Sequence, residues 1–487
     1  MKYNLIAIIL VLLVLTLAPI GYPVANNIHI TKASTPTVIT SLPYTITTPG
    51  VYVLSSNLST SSDGILVESD DVVIIGNGFT ITGSGVGGGI NISGHVNVTI
   101  TNLTLRNFWA GINVSNLTSL WNYAGVKIDN VRIEDCWEGI LIWYVDAIGG
   151  VIINNTLING SLYYGIDAYE VTDLYILNTI INGSNDNDYG IYLDSSEGVY
   201  IYNTTITNTH YTGIYVDSYY DYGYNTVTIV RSTIANTYDY GIEIDNGEGV
   251  LILYSNISNN YYSGIYVRYS SYVWLYQNVI ENNDEYGVYV YYSSNVYINS
   301  SVISNNSYSG IYLDVRTSDV SIWGNQIIYN DDYGVEADTP GNFNVTRNTF
   351  GGNSMHPQAY DSYGSGNWTG NYWSDLTGST YSFSYNQDPA PLSDPLPFIW
   401  ILDVSAPRNA TYGSIVDVNV TITNLGYGPA TDSLIGLYWG EPLRFVGINY
   451  TWIDVDPFAA DNVSDGDIVE DFGNYTLWDE DDGYIIY

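Results

Sequence analysis

Residues 189–217 read Tyr189-Gly190-Ile191-Tyr192-Leu193-Asp194-Ser195-Ser196-Glu197-Gly198-Val199-Tyr200-Ile201-Tyr202-Asn203-Thr204-Thr205-Ile206-Thr207-Asn208-Thr209-His210-Tyr211-Thr212-Gly213-Ile214-Tyr215-Val216-Asp217. Behind Gly190 the apolar Ile191 and Leu193 alternate with Tyr192 and Asp194, and behind Gly213 the pattern repeats with Ile214 and Val216. An apolar residue at every second position marks a strand with one face in a core. Val199, Ile201 and Ile206 form a second alternating run, and Asn208 opens a polar turn. One unit is therefore strand, turn, strand, turn.

The same Gly-Ile or Gly-Val start recurs at Gly64, Gly89, Gly111, Gly139, Gly165, Gly190, Gly213, Gly241, Gly264, Gly287, Gly310 and Gly334, at intervals of 22 to 28 residues. No 3.6-residue periodicity intervenes to supply helical crossovers, and the period is too short for a four-stranded propeller blade of about 40 residues. A parallel β-helix fits, with one unit per rung and successive rungs about 4.8 Å apart. Twelve rungs predict a rod on the order of 55 Å long. Asn208, Asn236, Asn259, Asn282 and Asn305 fall in one column after the second strand. Asparagine tolerates a left-handed φ there, and its amide can bond between rungs, so this column is predicted to be an asparagine ladder.

Composition narrows the partners. The 487 residues carry 11 Lys plus Arg against 50 Asp plus Glu, a formal net charge of −39, which argues against nucleic acid or an anionic membrane. Hydrophobic residues make up 46%, so the composition does not imply disorder. The single cysteine, Cys136, allows no intrachain disulfide and reads as a buried residue. Met1 to Asn4 followed by the apolar run Leu5 to Ile20 has the form of a signal peptide ending near Ala25, and no later stretch is long and apolar enough to span a membrane. The expected location is extracellular or the cell surface. About twenty Asn-x-Ser/Thr sequons, among them Asn97, Asn102, Asn203, Asn256, Asn305, Asn367 and Asn449, fit a glycosylated surface protein.

Parity assigns an outward face. Two residues after the rung glycines stand Tyr192, Tyr215, Glu243, Tyr266, Tyr289 and Tyr312; four residues after them stand Asp194, Asp217, Asp245, Arg268, Tyr291, Asp314 and Asp338. Tyrosine rings stack on sugar faces, and carboxylates about 5 Å apart match the separation in a retaining glycosidase. Tyr192, Tyr215, Tyr266, Tyr289 and Tyr312 are thus candidate substrate-binding residues, and Asp194, Asp217, Asp245 and Arg268 candidate catalytic residues. Asp194, Asp217 and Asp245 also offer hard oxygen ligands for calcium, although no cofactor is required and no dedicated loop is visible. A solvated face of any repeat would show the same columns. The scarcity of Lys and Arg suits an acidic environment, in which protonated carboxylates stop repelling one another.

The array closes on Gly366-Asn367-Trp368-Thr369-Gly370-Asn371-Tyr372-Trp373-Ser374-Asp375, and it opens on Pro49-Gly50-Val51-Tyr52-Val53-Leu54 and Val73-Ile74-Ile75-Gly76-Asn77-Gly78. In these segments the chain resembles the right-handed parallel β-helix proteins of the periplasmic copper-binding NosD type, within the wider set of carbohydrate-binding and sugar-hydrolase β-helices. The resemblance spans about residues 40–398. It implies an all-β, right-handed solenoid, with either a copper role or polysaccharide chemistry. Copper is served poorly by this chain, whose His29, His95, His210 and His356 stand apart and whose only non-initiator Met is Met355. The polygalacturonase signatures Asn-Thr-Asp and Gly-His-Gly are missing, and Lys127, Arg231 and Arg268 form no base-plus-calcium cluster. Trp373 and Asp375 are expected to seal the end of the rod.

The domain reading is a signal peptide over 1–25, an N-terminal cap over 26–62, the repeats over 63–350, and a C-terminal cap with a Pro-rich linker over 351–398. The segment 399–487 is similar to immunoglobulin-like adhesion modules, a small β-sandwich of which only a few strands can be counted. The leading expectation is a secreted, glycosylated surface protein with a structural, adhesive or glycan-binding role. Its partner is then a polysaccharide, a cell-surface glycan or another surface-layer protein. A polysaccharide lyase, hydrolase or epimerase is the alternative, and a periplasmic-type copper-binding protein a weaker one.

Overall fold

A computed structural model describes residues 35–119, 125–147, 150–183, 188–217 and 226–395, together with the backbone of strands between 399 and 464. Two compact units are present: the coil lies in Asn27–Ser393, and the strands after Asp394 belong to the other. The coil is all-β, with about thirteen rungs. Fourteen strands, from Tyr44–Ile46 to Ala359–Asp361, stack in one parallel sheet that contains the strands behind the rung glycines. Twenty-seven further strands of the coil form a second parallel sheet, and Tyr381–Phe383 and Asn386–Asp388 pair antiparallel after it.

The second alternating run of each unit differs from the sequence reading. It is two strands: Val199–Tyr202 and Thr205–Thr207 precede Ile214–Asp217, so a rung has three sides. The bend sits at Asn203, whose φ of 48° ends the first strand. At the inside of that corner Thr204 is 1% exposed, and its hydroxyl donates to the Tyr202 carbonyl at 3.2 Å. Ile and Val from all three sides fill the interior; Ile191, Ile201, Ile206 and Ile214 are fully buried.

Close approach explains the rung glycine. A Cβ on Gly213 would lie 2.4 Å from Ile234 Cγ2 and 2.7 Å from the Gly241 carbonyl oxygen of the next rung. Any side chain would push adjacent rungs apart.

The asparagine column is split between two positions. Asn208, Asn236, Asn259, Asn282 and Asn305 do adopt left-handed φ of 53–59°. The continuous ladder, however, runs one residue later, through the buried Asn260, Asn283, Asn306, Asn330 and Asn353. Each of the first four donates its side-chain amide to the next side-chain oxygen at 2.8–2.9 Å. The left-handed residue turns the chain so that its successor points inward, where an unpaired amide would be costly and the neighbouring rung supplies its partner. A second ladder follows the other corner through Ser232, Ser255, Asn278, Ser301, Asn325, Asn348 and Asn371, each side chain from Ser255 onward accepting the backbone N–H of its predecessor in the row.

Both ladders end on carboxylates. Asp388 accepts the Asn371 backbone N–H at 2.9 Å and the Trp373 indole N–H at 3.2 Å, while Gln358 carries the other ladder to Asp375 Oδ1 at 2.7 Å. Trp373, 1% exposed, is stacked between Phe350 and Tyr381 at 4.1 Å from each, and so closes the apolar end. Cys136 is fully buried, with its thiol pushed up to about 11 by burial. In the other unit, Ile399–Ser405, Asn419–Asn424 and Ala460–Ser464 form an antiparallel sheet, and Ala430–Glu441 pairs with Arg444–Val455.

Candidate functional site

The outward columns lie on the fourteen-stranded sheet. Its in-register pairing places Tyr192 beside Tyr215, Tyr215 beside Glu243, Glu243 beside Tyr266, Tyr266 beside Tyr289, and Tyr289 beside Tyr312. All five tyrosines are half-buried. Tyr192 and Tyr215 stack at 5.0 Å and 13°, and Tyr266 and Tyr289 at 4.7 Å and 29°. Tyrosines preceding the glycines widen the aromatic surface: Tyr164 stacks on Tyr189, and Tyr286 on Tyr312.

Carboxylates line the tyrosines and bond to them across rungs. Tyr289 Oη donates to Asp314 Oδ2 at 2.7 Å, Tyr312 Oη to Asp338 Oδ2 at 3.3 Å, and Tyr215 Oη to Asp245 Oδ2 at 3.5 Å. Burial raises the hydroxyl pKa of Tyr189 and Tyr266 to about 12, so these rings are neutral hydrogen-bonding groups.

Arg268 brings two acids together. Its Nη2 lies 2.7 Å from Asp245 Oδ2 and 3.3 Å from Glu243 Oε1. Both carboxylates are 8% exposed. Burial pushes the Glu243 carboxyl up to about 7 in spite of Arg268, and it raises Asp245 by the same cause. Burial by itself would lower the pKa of Arg268, but the charges of Asp245 and Glu243 outweigh it and hold the guanidinium more firmly protonated. Asp245 Oδ1 and Arg268 Nε are buried with no hydrogen-bond partner among the described residues.

Towards the start of the coil the same face carries Glu138, Asp167 and Asp194. Burial pushes Glu138 up to about 7 and Asp167 up to about 6, and it also raises Asp194. Trp143 Nε1 donates to Asp167 Oδ2 at 3.4 Å. Trp137 is exposed and stacks on Tyr163 at 5.4 Å beside this group. Sequence reasoning did not single out Glu138, Asp167 or Glu243 as acids. Their positions in the register were countable, since Glu138 stands before Gly139 where Tyr stands before Gly165, but their loss of solvent was not.

Asp194, Asp217 and Asp245 are adjacent in register, one per rung. Among the described residues no group of three or more His, Cys, Asp or Glu gathers closely enough to hold a metal ion. Asp245 is engaged by Arg268 instead. His95 pairs with Asp70 and His356 with Asp375, and His210 stacks on Tyr238; His29 lies outside the described residues. Of the sequon asparagines, Asn102, Asn203, Asn305 and Asn367 are exposed, Asn97 and Asn256 are half-buried, and the Asn449 side chain lies outside the described residues. Asn256 Oδ1 is buried within the strand Asn256–Ser258.

A family model described as a right-handed beta helix region matches residues 219–380, and one described as periplasmic copper-binding protein (NosD) matches residues 71–256. The chain is a right-handed parallel β-helix protein. No curated protein matches this β-helix protein in sequence. Among solved structures, it is similar to the periplasmic alginate epimerase AlgG at 15% identity, covering 66% of this chain and 77% of that one with a TM-score of 0.38. It is also similar to the catalytic domain of a GH87 alpha-1,3-glucanase at 13% identity, covering 68% and 64%, with a TM-score of 0.43. A third is the tailspike protein of E. coli bacteriophage HK620, at 11% identity, 88% and 86% coverage and a TM-score of 0.39. Among its described residues the β-helix protein has no helix long and apolar enough to cross a membrane; Leu5 to Ile20 lie outside them.

Proposed function

We propose that this β-helix protein is an exported, surface-exposed glycan-binding protein that lays an extended polysaccharide along the fourteen-stranded sheet. The observation that carries this reading is the tyrosine column, Tyr192 to Tyr312, in which Tyr215, Tyr289 and Tyr312 are hydrogen-bonded across rungs to carboxylates. Aromatic rings give flat apolar contact to sugar faces, and the hydroxyl and carboxylate groups beside them bond to sugar hydroxyls. The exposed Asn102, Asn203, Asn305 and Asn367 are the sequon positions open to glycosylation. Incubation with neutral and acidic polysaccharides, with and without calcium, tests the reading. Retention is expected, and Tyr215→Ala and Tyr266→Ala should weaken it while the fold persists. Absence of retention on every polysaccharide would leave a structural scaffold.

One observation favours a second reading, glycoside cleavage. Glu243, at about 7, is about half protonated at neutral pH, and Asp245 stands beside it against Arg268. Glu243 would then donate its proton to the glycosidic oxygen as the bond to the anomeric carbon breaks and Asp245 bonds to that carbon; water, giving its proton to Glu243, would then displace Asp245 and release the sugar. New reducing ends that disappear in Glu243→Gln would establish this activity in place of simple binding.

A further inference from the structure

The turns that lead into the fourteen-stranded sheet repeat every second rung. Asp188-Tyr189-Gly190, Asp239-Tyr240-Gly241, Glu285-Tyr286-Gly287 and Asp332-Tyr333-Gly334 alternate with Tyr211-Thr212-Gly213, Tyr262-Ser263-Gly264 and Tyr308-Ser309-Gly310. Backbone bonds keep the turns in line: Tyr211 N–H donates to the Asp188 carbonyl, Tyr262 N–H to that of Asp239 and Tyr308 N–H to that of Glu285, at 2.8–3.3 Å. The alternation builds one cluster of three tyrosines per two rungs. The ring of Tyr189 lies 5.0 Å from Tyr211 and 5.9 Å from Tyr215; Tyr240 lies 5.5 Å from Tyr262 and 4.8 Å from Tyr266; Tyr286 lies 5.3 Å from Tyr308 and 4.8 Å from Tyr312. Packing accounts for part of this, since a large ring before one glycine leaves room for only Thr or Ser before the next. It asks for nothing at the outer end of each cluster, yet a tyrosine stands there every time, and Tyr262 and Tyr308 are 39% and 47% exposed.

Two rungs advance about 9.6 Å. A ligand that meets successive clusters alike must repeat over that distance. An extended polysaccharide with equatorial 1,4-linkages does so, because alternate sugars are turned over and the same ring face returns at every second sugar. Helical α-1,4- and β-1,3-linked glucans do not. Asp239, Glu285 and Asp332 hold the intervening turns of a chain with a net charge of −39, and they disfavour a polyuronate of the same shape.

We propose that the polysaccharide bound here is an uncharged β-1,4-linked polymer lying along the turn edge of the fourteen-stranded sheet, one disaccharide to each tyrosine cluster. This rests on the glycan-binding reading above and adds Tyr211, Tyr262 and Tyr308 to the site. Each exposed ring offers a sugar the flat apolar contact that the rings behind it hold in place.

Titration calorimetry of the whole protein tests the proposal, with β-1,4-linked glucose and N-acetylglucosamine oligomers of two to six sugars, β-1,3- and α-1,4-linked glucose hexamers, and a β-1,4-linked mannuronate hexamer. The affinity of at least one uncharged β-1,4-linked series is expected to rise in steps, at least about tenfold from two sugars to four and again from four to six, with little gain at three and five. Tyr262→Ala, at the middle cluster, should cost the hexamer at least about tenfold while the unfolding transition holds. Tyr238→Ala, at an exposed ring outside the clusters, should leave the affinity unchanged. A smooth rise with every added sugar, or an equal loss in both variants, would overturn the two-rung match. Equal binding of the β-1,3- or α-1,4-linked hexamers would overturn the linkage, and equal binding of the mannuronate hexamer would overturn the uncharged class; each leaves glycan binding standing. No binding of any glycan would overturn both readings.

Discussion

The inner corners of the coil and its outward tyrosine face are both rich in polar side chains stacked rung on rung, yet they are finished differently. At the corners every ladder amide has its partner, and each ladder ends on a carboxylate, Asp388 or Asp375. On the face, Asp245 Oδ1, Arg268 Nε and Glu138 Oε2 are buried and unpaired among the described residues. Satisfied polar networks specify and rigidify a structure, whereas unsatisfied ones store a capacity to bind. The corners thus hold the rod, and the face is where a ligand has something to contribute.

Removing a ladder rung should break the corner side of this contrast most severely. Asn306→Ala takes from the interior the oxygen to which both the backbone N–H and the side-chain amide of Asn283 donate, and a loss of about 3 kcal/mol in chemical denaturation is expected. Gly213→Ala, which forces a methyl against Ile234 and the Gly241 carbonyl, should cost about 2 kcal/mol in the same measurement.

Acid separates the two regions by sign. Glu138, Asp167 and Glu243 have raised native pKa values of about 7, 6 and 7. Between those values and the ordinary carboxylate range near pH 4, the folded state holds protons that the unfolded state has released. Stability should therefore rise as pH falls through that window, by on the order of 1 kcal/mol per group. Glu134 and Asp375 behave oppositely. Burial would raise both, but Arg106 and Arg132 bonded to Glu134, and His356, Gln358 and Tyr381 bonded to Asp375, hold them below the ordinary range. Their contribution is lost only at still lower pH. Thermal unfolding scanned across acid pH should show a maximum, and a steady fall from neutrality downward would contradict the assignment of the face acids.

The smallest stability effect belongs to the face aromatics. Tyr215→Ala and Tyr266→Ala each remove one stacked pair at the surface, worth about 1 kcal/mol. Retention on polysaccharide should nonetheless drop sharply. A large loss of stability with unchanged retention would make the tyrosines structural and erase the contrast with the corners.

Much of this architecture was legible in the residues themselves. Period-two alternation behind glycines spaced 22 to 28 residues apart prescribes stacked parallel strands, and parity alone places Tyr192, Tyr215, Tyr266, Tyr289 and Tyr312 in one outward column with Asp194, Asp217 and Asp245 beside them. The three-sided rung was not legible, because the bend at Asn203 interrupts the alternation by only two residues. Nor was the true ladder, since Asn208 and Thr209 differ in direction only through a left-handed φ that periodicity does not report. The joining of Glu243 and Asp245 on Arg268 and the raised acids at Glu138 and Asp167 came from the tertiary structure alone. Desolvation depends on what the neighbouring rungs place over a carboxylate. A sequence records which side a residue faces, and only the assembled stack decides how much water reaches it.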